Sequence, residues 1–128
     1  MGMTLETRCL PVLECLRGVT VRPRERGEVA PFQALLRTHH YLGFRGVVGE
    51  SLAYVAEADG RWLALLVWAA AAFKCRPREA WIGWHPTVAW QRLPLVANNV
   101  RFLILPGARV ANLASRVLGL CTRRLSAD

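Results

Sequence analysis

The last part of the chain changes its hydrophobic period at one point, the Pro106-Gly107 pair. Residues 101–105 form a short, largely apolar run, which is typical of a buried strand. Beyond the pair, apolar residues recur three or four positions apart, at Val110, Leu113, Ala114, Val117, Leu118, Cys121 and Leu125. The change predicts a strand at or next to the centre of its sheet, followed by a tight turn and an amphipathic helix over about residues 110–125. The free amides at the start of such a helix make the turn a candidate anion site.

The same patterns predict six elements upstream. In chain order they are a strand at residues 19–23, a helix from Pro31 to Gly43, strands at 52–57 and 61–68, a strand at 81–84 and a helix at 87–96. Asp59-Gly60, between the two longer strands, is typical of a hairpin turn. Thr87 is a suitable N-cap for the second helix. This order predicts an α/β (α+β) fold, in which helices flank a mixed sheet.

The composition bounds the class of protein. At 128 residues with 53% hydrophobic residues, the chain is expected to be one folded domain with a modest core. Its longest apolar run, residues 62–73, is too short to span a bilayer, so no membrane partner is expected. No export signal opens the chain, and the cysteines, Cys9, Cys15, Cys75 and Cys121, lack the close spacing of metal ligands. We therefore predict a cytoplasmic protein without a metal site.

The charge indicates an anionic partner. The net charge is +8, and every basic residue except Lys74 is arginine, which binds phosphate bidentately. Arg109, Arg116 and Arg123 are seven positions apart, so they would form one stripe on the last predicted helix, with Arg124 beside it. These four arginines are the candidate contacts with DNA. The alternative is an ordinary solvated surface over which the charges are scattered.

Three tryptophans provide a second candidate contact with nucleic acid. Exposed aromatic side chains stack on bases, and Trp81, Trp84 and Trp90 could act in this way. Trp81 and Trp84 flank an apolar Ile-Gly pair, which favours a place for both in the protein core.

Four residues are candidates for catalysis, although no complete catalytic motif is present. His39 or His40 could serve as a general base, the alternative being a hydrogen-bonded, half-buried histidine. Tyr41 follows them directly, and packing is the alternative to a catalytic role. Asn99 could orient a substrate with its amide or bond the backbone at a turn. The chain has only two aspartates, so a metal-dependent nuclease is poorly supported.

The order of predicted elements resembles that of a GNAT-type N-acetyltransferase. Enzymes of that family carry an Arg/Gln-x-x-Gly-x-Gly/Ala turn that cradles the pyrophosphate of acetyl-CoA. The matching stretch here is Arg109-Val110-Ala111-Asn112-Leu113-Ala114. The resemblance implies that acetyl-CoA, or another acyl-CoA, is a candidate cofactor at these residues. Asn112 stands where the motif has its first glycine, which brings the close approach of the backbone to a phosphate into question.

A second resemblance rests on four motifs in order. They are His39-His40-Tyr41-Leu42-Gly43, Trp81-Ile82-Gly83-Trp84, the stretch from Asn98 to Pro106, and Asn112-Leu113-Ala114-Ser115. In these motifs residues 19–128 are similar to the domain family of the Druantia anti-phage protein DruA, which also occurs beside or fused to transposases. The resemblance implies a defence or mobile-element locus as the setting and leaves the reaction open. Because that family continues past Asp128, we expect a C-terminally truncated domain that lacks its last strand and helix, preceded by an N-terminal extension at residues 1–18.

Three hypotheses for the function follow. The first is a non-catalytic DruA-like fragment with a nucleic-acid partner. The second is a GNAT-like acyltransferase that uses an acyl-CoA. The third is a helper subunit whose sheet is completed by a partner protein, because a missing last strand would leave one edge of the strand at residues 101–105 unpaired.

Overall fold

The computed structural model describes residues 16–47 and 49–128, and its centre is an antiparallel sheet of four strands. The strands are β1 (Thr20–Pro23), β2 (Ser51–Ala58), β3 (Arg61–Ala70) and β4 (Ala97–Ile104), and they lie in the sheet in that order. The helices are α1 (Val29–His39), α2 (Arg76–Ile82), α3 (Pro86–Arg92) and α4 (Leu113–Leu125), with 3₁₀ turns at Arg26–Glu28 and Leu93–Leu95. The predicted α+β class is confirmed, but the strand pairings are antiparallel throughout, so the expectation of a mixed sheet is wrong.

Helices α1 and α4 cover opposite faces of the sheet. Phe32 and Leu36 of α1 pack in one hydrophobic cluster with Val55, whereas Val117 of α4 packs in the other with Tyr54. These two β2 neighbours enter different clusters because successive side chains of a strand point to opposite faces. Strand β3 contributes buried residues to both clusters, which explains why its sequence is almost continuously apolar.

The turn between β2 and β3 follows from its two residues. Asp59 and Gly60 have φ angles of 52° and 74°, the left-handed pair that a two-residue type I′ hairpin requires. Aspartate and glycine tolerate this conformation better than most residues. The predicted hairpin is confirmed, and both strands extend slightly beyond their predicted ranges.

The strand expected at residues 81–84 is instead the end of helix α2. A proline in the first turn starts this helix, and Gly83, with φ of 74°, ends it. The Gly83 N–H donates to the carbonyl of Glu79 at 2.9 Å. The strand prediction is wrong because these two helix signals outweigh the apolar Trp-Ile pair between them.

The helix expected at residues 87–96 is shorter and differently capped. Helix α3 ends at Arg92, and the 3₁₀ turn that contains Pro94 takes its place. The N-cap is His85, whose Nδ1 accepts a hydrogen bond from the backbone N–H of Thr87 at 3.4 Å. The prediction of Thr87 as the cap is therefore wrong.

The last strand and helix are confirmed, with shifted bounds. Strand β4 begins at Ala97, upstream of the predicted residue 101, and α4 begins at Leu113, downstream of the predicted residue 110. Strand β4 lies at the edge of the described sheet beside the interior strand β3, which agrees with the prediction of a strand at or next to the centre, and no other described strand pairs with it.

Three expectations meet the structure only in part. The predicted N-terminal extension, residues 1–18, lies mostly outside the described residues, as do Cys9 and Cys15. Within the described ranges, Cys75 and Cys121 are free thiols. None of the helices in these ranges combines the length and the apolar character that crossing a bilayer requires.

Candidate functional site

Two short helices lie between β3 and β4, and the segment that contains them begins and ends at the same end of the sheet. Ala70 of β3 pairs with Ala97 of β4, and just beyond them the N–H of Ala71 donates to the carbonyl of Val96 at 3.2 Å. We call residues 72–95, which contain α2 and α3, the arm. None of its residues belongs to either hydrophobic cluster of the described chain. The arm is therefore built on the sheet without contributing to its core.

The arm displays large aromatic side chains to solvent. Trp81 is 90% exposed and Trp90 is 62% exposed. Trp90 contacts Phe73 edge to face, with the ring centroids 4.6 Å apart. The expectation that Trp81 belongs to the core is wrong, and Trp84 is only half-buried. Trp81, Trp90 and Phe73 are far more exposed than folding alone would favour.

Basic side chains lie in the same part of the arm as Phe73 and Trp90. The arm carries a net charge of +3, from Lys74, Arg76, Arg78 and Arg92 against Glu79. Lys74, Arg76 and Arg78 line an open cavity of about 540 Å³ together with Phe73 and the indoles of Trp84 and Trp90. Arg78 donates to the carbonyl of Ala72 at 2.9 Å, whereas the side chains of Lys74 and Arg76 are exposed. This surface combines stacking faces with positive charge.

The candidate histidines lie at the end of α1. His39 is its last residue and is exposed. His40 is half-buried, and its Nδ1 accepts a hydrogen bond from the N–H of Leu42 at 3.1 Å. Burial, and secondarily the positive charge of Arg101, lower the pKa of His40. The Tyr41 ring stacks on His40 with centroids 4.9 Å apart but is 88% exposed, so it does not lie in the protein interior.

Asn99 lies inside β4 beside an irregularity in the sheet. The pairing of β3 with β4 shifts register between Val67 and Trp68. Asn99 is the partner of Trp68 at this shift. Its Nδ2 donates to the carbonyls of Val67 and Arg101, both at 3.2 Å. The amide nitrogen thus satisfies backbone acceptors at the bulge, within a strand and not at the expected turn.

Arg101 was not among the residues singled out from the sequence, and the structure places it in a second open cleft. Its Nε donates to the carbonyl of Gly43 at 2.9 Å and its Nη1 to that of Val100 at 2.6 Å. The cleft, of about 590 Å³, lies between the loop after α1 and the ends of β3 and β4, and Asn98 also lines it. A charged residue at the start of an apolar strand run was the signal that could have identified it.

The candidate phosphate turn lines one open cavity of about 660 Å³, formed mainly by residues 109–115. Asn112, with φ of 65°, adopts the left-handed conformation that glycine favours, and its carbonyl accepts from the N–H of Arg116 at 3.0 Å. The Leu113 N–H donates to the carbonyl of Val110 at 3.1 Å. Asn112 therefore adopts, just before α4, a backbone conformation that glycine also takes.

The candidate arginines do not form a single stripe on α4. Arg109 lies in the loop before the helix, so the prediction of a stripe of three on one helix is wrong. Arg116 donates from Nε to the carbonyl of Leu16 at 3.3 Å, and Arg124 donates from Nη1 to that of Val21 at 2.6 Å. Arg109 and Arg123 are exposed. Two of the four side chains are therefore engaged in holding the fold.

Two hydrogen bonds to Asp128, which the sequence did not indicate, link the end of α4 to the sheet. The buried Tyr54 donates from its hydroxyl to Asp128 Oδ2 at 2.8 Å, and Arg124 Nε donates to the same oxygen at 2.7 Å. Burial, together with the carboxylate, raises the pKa of Tyr54, and Arg124 lowers that of Asp128. The arrangement keeps the carboxylate ionised and the phenol protonated, which suits a structural tie.

These features define a small α+β protein whose antiparallel sheet carries an exposed, basic and aromatic arm. The sequence model of the family described as Druantia protein DruA matches residues 14–128, so the chain belongs to the DruA family. The family places it among the proteins of the Druantia anti-phage system. No curated protein and no solved structure matched the chain.

Proposed function

We propose that this DruA-family protein is a non-catalytic component of its anti-phage system that associates with nucleic acid through the arm. The observation that carries the proposal is the exposure of Trp81 and Trp90 on a segment outside the core that also carries the exposed Lys74 and Arg76. Bases stack on exposed aromatic rings, and lysine and arginine neutralise the neighbouring phosphates.

The chemistry of the arm favours single strands over duplexes. The face of an indole stacks on a base only when that base is free of its neighbours, as in single-stranded DNA or RNA. The net charge of +3 also favours a polyanion over an apolar protein surface. If three phosphates are neutralised, log affinity should fall with log salt with a slope of about −2.

The experiment measures fluorescence anisotropy of a labelled single strand of about 15 nucleotides and of the duplex of the same sequence, at several salt concentrations. We expect the single strand to bind more tightly. The double variant Trp81→Ala, Trp90→Ala should weaken binding about ten- to hundredfold for each stacked base lost. The matched control is Tyr41→Ala, because Tyr41 is equally exposed but lies outside the arm.

Two results would contradict the proposal. One is the absence of measurable binding at low salt. The other is an equal loss of affinity in Tyr41→Ala and in the double tryptophan variant, which would mean that the arm has no special role.

The four candidate arginines remain proposed secondary contacts with DNA. Arg109 and Arg123 are exposed and free to reach phosphates, whereas Arg116 and Arg124 already donate to backbone carbonyls. We therefore expect Arg123→Ala to reduce the salt slope by about one contact. Arg116→Ala would reduce it only if this side chain left its carbonyl partner.

The acyltransferase alternative is supported by one observation, the cavity that gathers the candidate phosphate turn around Arg109 and Asn112. The test is a calorimetric titration of the chain with acetyl-CoA. We expect weak binding or none. Micromolar binding that Arg109→Ala abolishes would favour the acyltransferase over the proposed function.

A partner protein that completes the sheet is a further proposal, because the outer edge of β4 is unpaired in the described residues. An exposed strand edge presents free N–H and C=O groups that another chain can pair with. A sizing column run across protein concentrations tests whether the chain associates with itself.

A further inference from the structure

The strongest unassigned feature of the molecule is the cleft at Arg101, between the loop after α1 and the ends of β3 and β4. Of the described residues that line it, only Asn98 and Arg101 have polar side chains. The rest are glycine, alanine or larger apolar residues, among them Phe44, Val47 and Val100. Its volume of about 590 Å³ is in the range of small-molecule sites.

The guanidinium of Arg101 is fixed in place and keeps free donors. The carbonyls of Gly43 and Val100 each accept one N–H, at 2.9 and 2.6 Å. A guanidinium has five N–H donors, so three remain for another partner. Two carbonyls orient the side chain, and no carboxylate of residues 16–47 or 49–128 is a counter-ion to its positive charge.

Arg22 and Arg124, two other half-buried arginines of the described chain, have close carboxylate partners, whereas half-buried Arg24 and Arg116 form no ion pair within the described residues. Arg22 pairs with Glu28 at 2.7 Å and with Glu57 at 2.8 Å, and Arg124 pairs with Asp128 at 2.7 Å. No carboxylate in the described residues forms an ion pair with Arg101. The positive charge of Arg101 acts on His40, because it contributes to the lowered pKa of that residue.

We infer that the cleft binds a small organic anion, whose carboxylate or phosphate is held by Arg101 and whose apolar body lies against Phe44 and Val100. Guanidinium donors match the geometry of both oxyanions. The amide of Asn98 provides a second polar contact, and the apolar walls favour a ligand larger than a bare ion. The inference does not rest on nucleic-acid binding by the arm, although Ala72 and Phe73 of the arm also line the cleft.

The experiment titrates the full chain by calorimetry with three probes: inorganic phosphate, hexanoate and adenosine 5′-monophosphate. We expect hexanoate or the nucleotide to bind one per chain, and more tightly than inorganic phosphate. The probe that binds distinguishes a carboxylate ligand from a phosphate ligand. Arg101→Met should weaken that binding at least about tenfold, because a hydrogen-bonded charge is lost.

A second variant covers the case in which Arg101→Met disturbs the fold. Ala71→Leu fills the cleft without touching the hydrogen bonds of Arg101, and it should also weaken binding about tenfold. Arg61→Met, which changes an exposed arginine at the start of β3, should bind as the original chain does.

Three results would overturn the inference. They are no detectable binding of any probe at millimolar concentration, unchanged binding in both Arg101→Met and Ala71→Leu, and nucleotide binding that is lost in Trp90→Ala but kept in Arg101→Met. The last would assign the nucleotide to the arm, so the two proposals can fail separately.

Discussion

The sheet and the arm use large apolar side chains in opposite ways. In the sheet with α1 and α4, Tyr54, Phe32 and Leu65 are completely buried. In the arm, Trp81 and Trp90 face solvent, and neither helix adds a residue to a hydrophobic cluster. Burial of apolar surface explains the composition of the sheet. It does not explain that of the arm, which is why we propose a binding role for the arm.

The two regions also differ in what holds their helices. Helices α1 and α4 are anchored by buried faces, whereas α2 and α3 have seven residues each and rely on prolines, the Gly83 cap and the contact of Phe73 with Trp90. Isolated helices shorter than about 12 residues are marginal in water. The arm is therefore expected to be the less stable region, and binding would order it.

The largest effect expected from this difference is on stability. Leu65→Ala removes a completely buried side chain from β3 and should lower the free energy of unfolding by about 2–5 kcal/mol. Trp81→Ala removes a larger side chain that is almost fully exposed, and it should change stability by less than about 0.5 kcal/mol. Urea unfolding of both variants measures this. Comparable losses would mean that the arm is part of the core.

A smaller effect is expected from removing the arm altogether. Ala71 and Val96 already share a hydrogen bond, so joining them through Asn-Gly in place of residues 72–95 continues the β3–β4 hairpin. We expect the shortened chain to fold with a stability within about 1–2 kcal/mol of the original, since a shorter loop costs less to close. Circular dichroism and urea unfolding check the fold.

The same shortened chain tests whether the arm is needed for binding to nucleic acid. It should lose the affinity for single strands while the sheet remains folded. A folded, shortened chain that binds as tightly as the full one would remove the arm from the proposed function. The Tyr41→Ala variant again serves as the control for a general effect of exposed aromatic residues.

The smallest effect concerns the acid stability of the sheet. The Arg22 guanidinium, hydrogen-bonded to Glu28, lowers the pKa of Glu28 from 4.5 to about 2. Because the folded value lies below the unfolded one, the pair stabilises fully above about pH 4.5, and the stabilisation is lost as the pH falls through about 2. In Glu28→Gln the free energy of unfolding should therefore fall less steeply over this range.

The measurement for this prediction is urea unfolding at a series of pH values. Glu50→Gln is the matched control, because Glu50 is exposed and forms no ion pair in the described residues. Its curve should run parallel to that of the original chain. A Glu28→Gln curve that also runs parallel would show that the pair does not contribute to acid stability.

The wrong assignments of secondary structure are concentrated in the arm. The strand expected at residues 81–84 rested on two large apolar residues, but Trp81 and Ile82 belong to the last turn of a helix. An apolar pair indicates burial only if another element covers it, and the described residues provide no such cover for Trp81. The strand prediction assumed that large apolar residues are buried, and the exposed residues of the arm do not follow that assumption.

The candidate sites were predicted unevenly for a related reason. The sequence marked the histidines, the asparagine pair and the turn around Asn112 as candidates, but it did not mark Arg101. Arg101 lies 58 positions from Gly43, whose carbonyl it contacts. A cleft formed by two distant segments has no local pattern, so its shape was not visible in the chain, although the charged residue that starts the apolar run at residues 101–105 was a local signal.

Local patterns were sufficient for the elements whose stability is local or periodic. Neighbouring residues alone determine three such elements: the Asp59-Gly60 turn, the continuously apolar β3 and the amphipathic α4. The antiparallel pairing of β4, the engagement of Arg116 and Arg124 with backbone carbonyls, and the cleft at Arg101 depend on segments far apart in the chain. Such contacts form only when the whole sheet is in register, because each needs two groups that the fold alone brings within hydrogen-bonding distance.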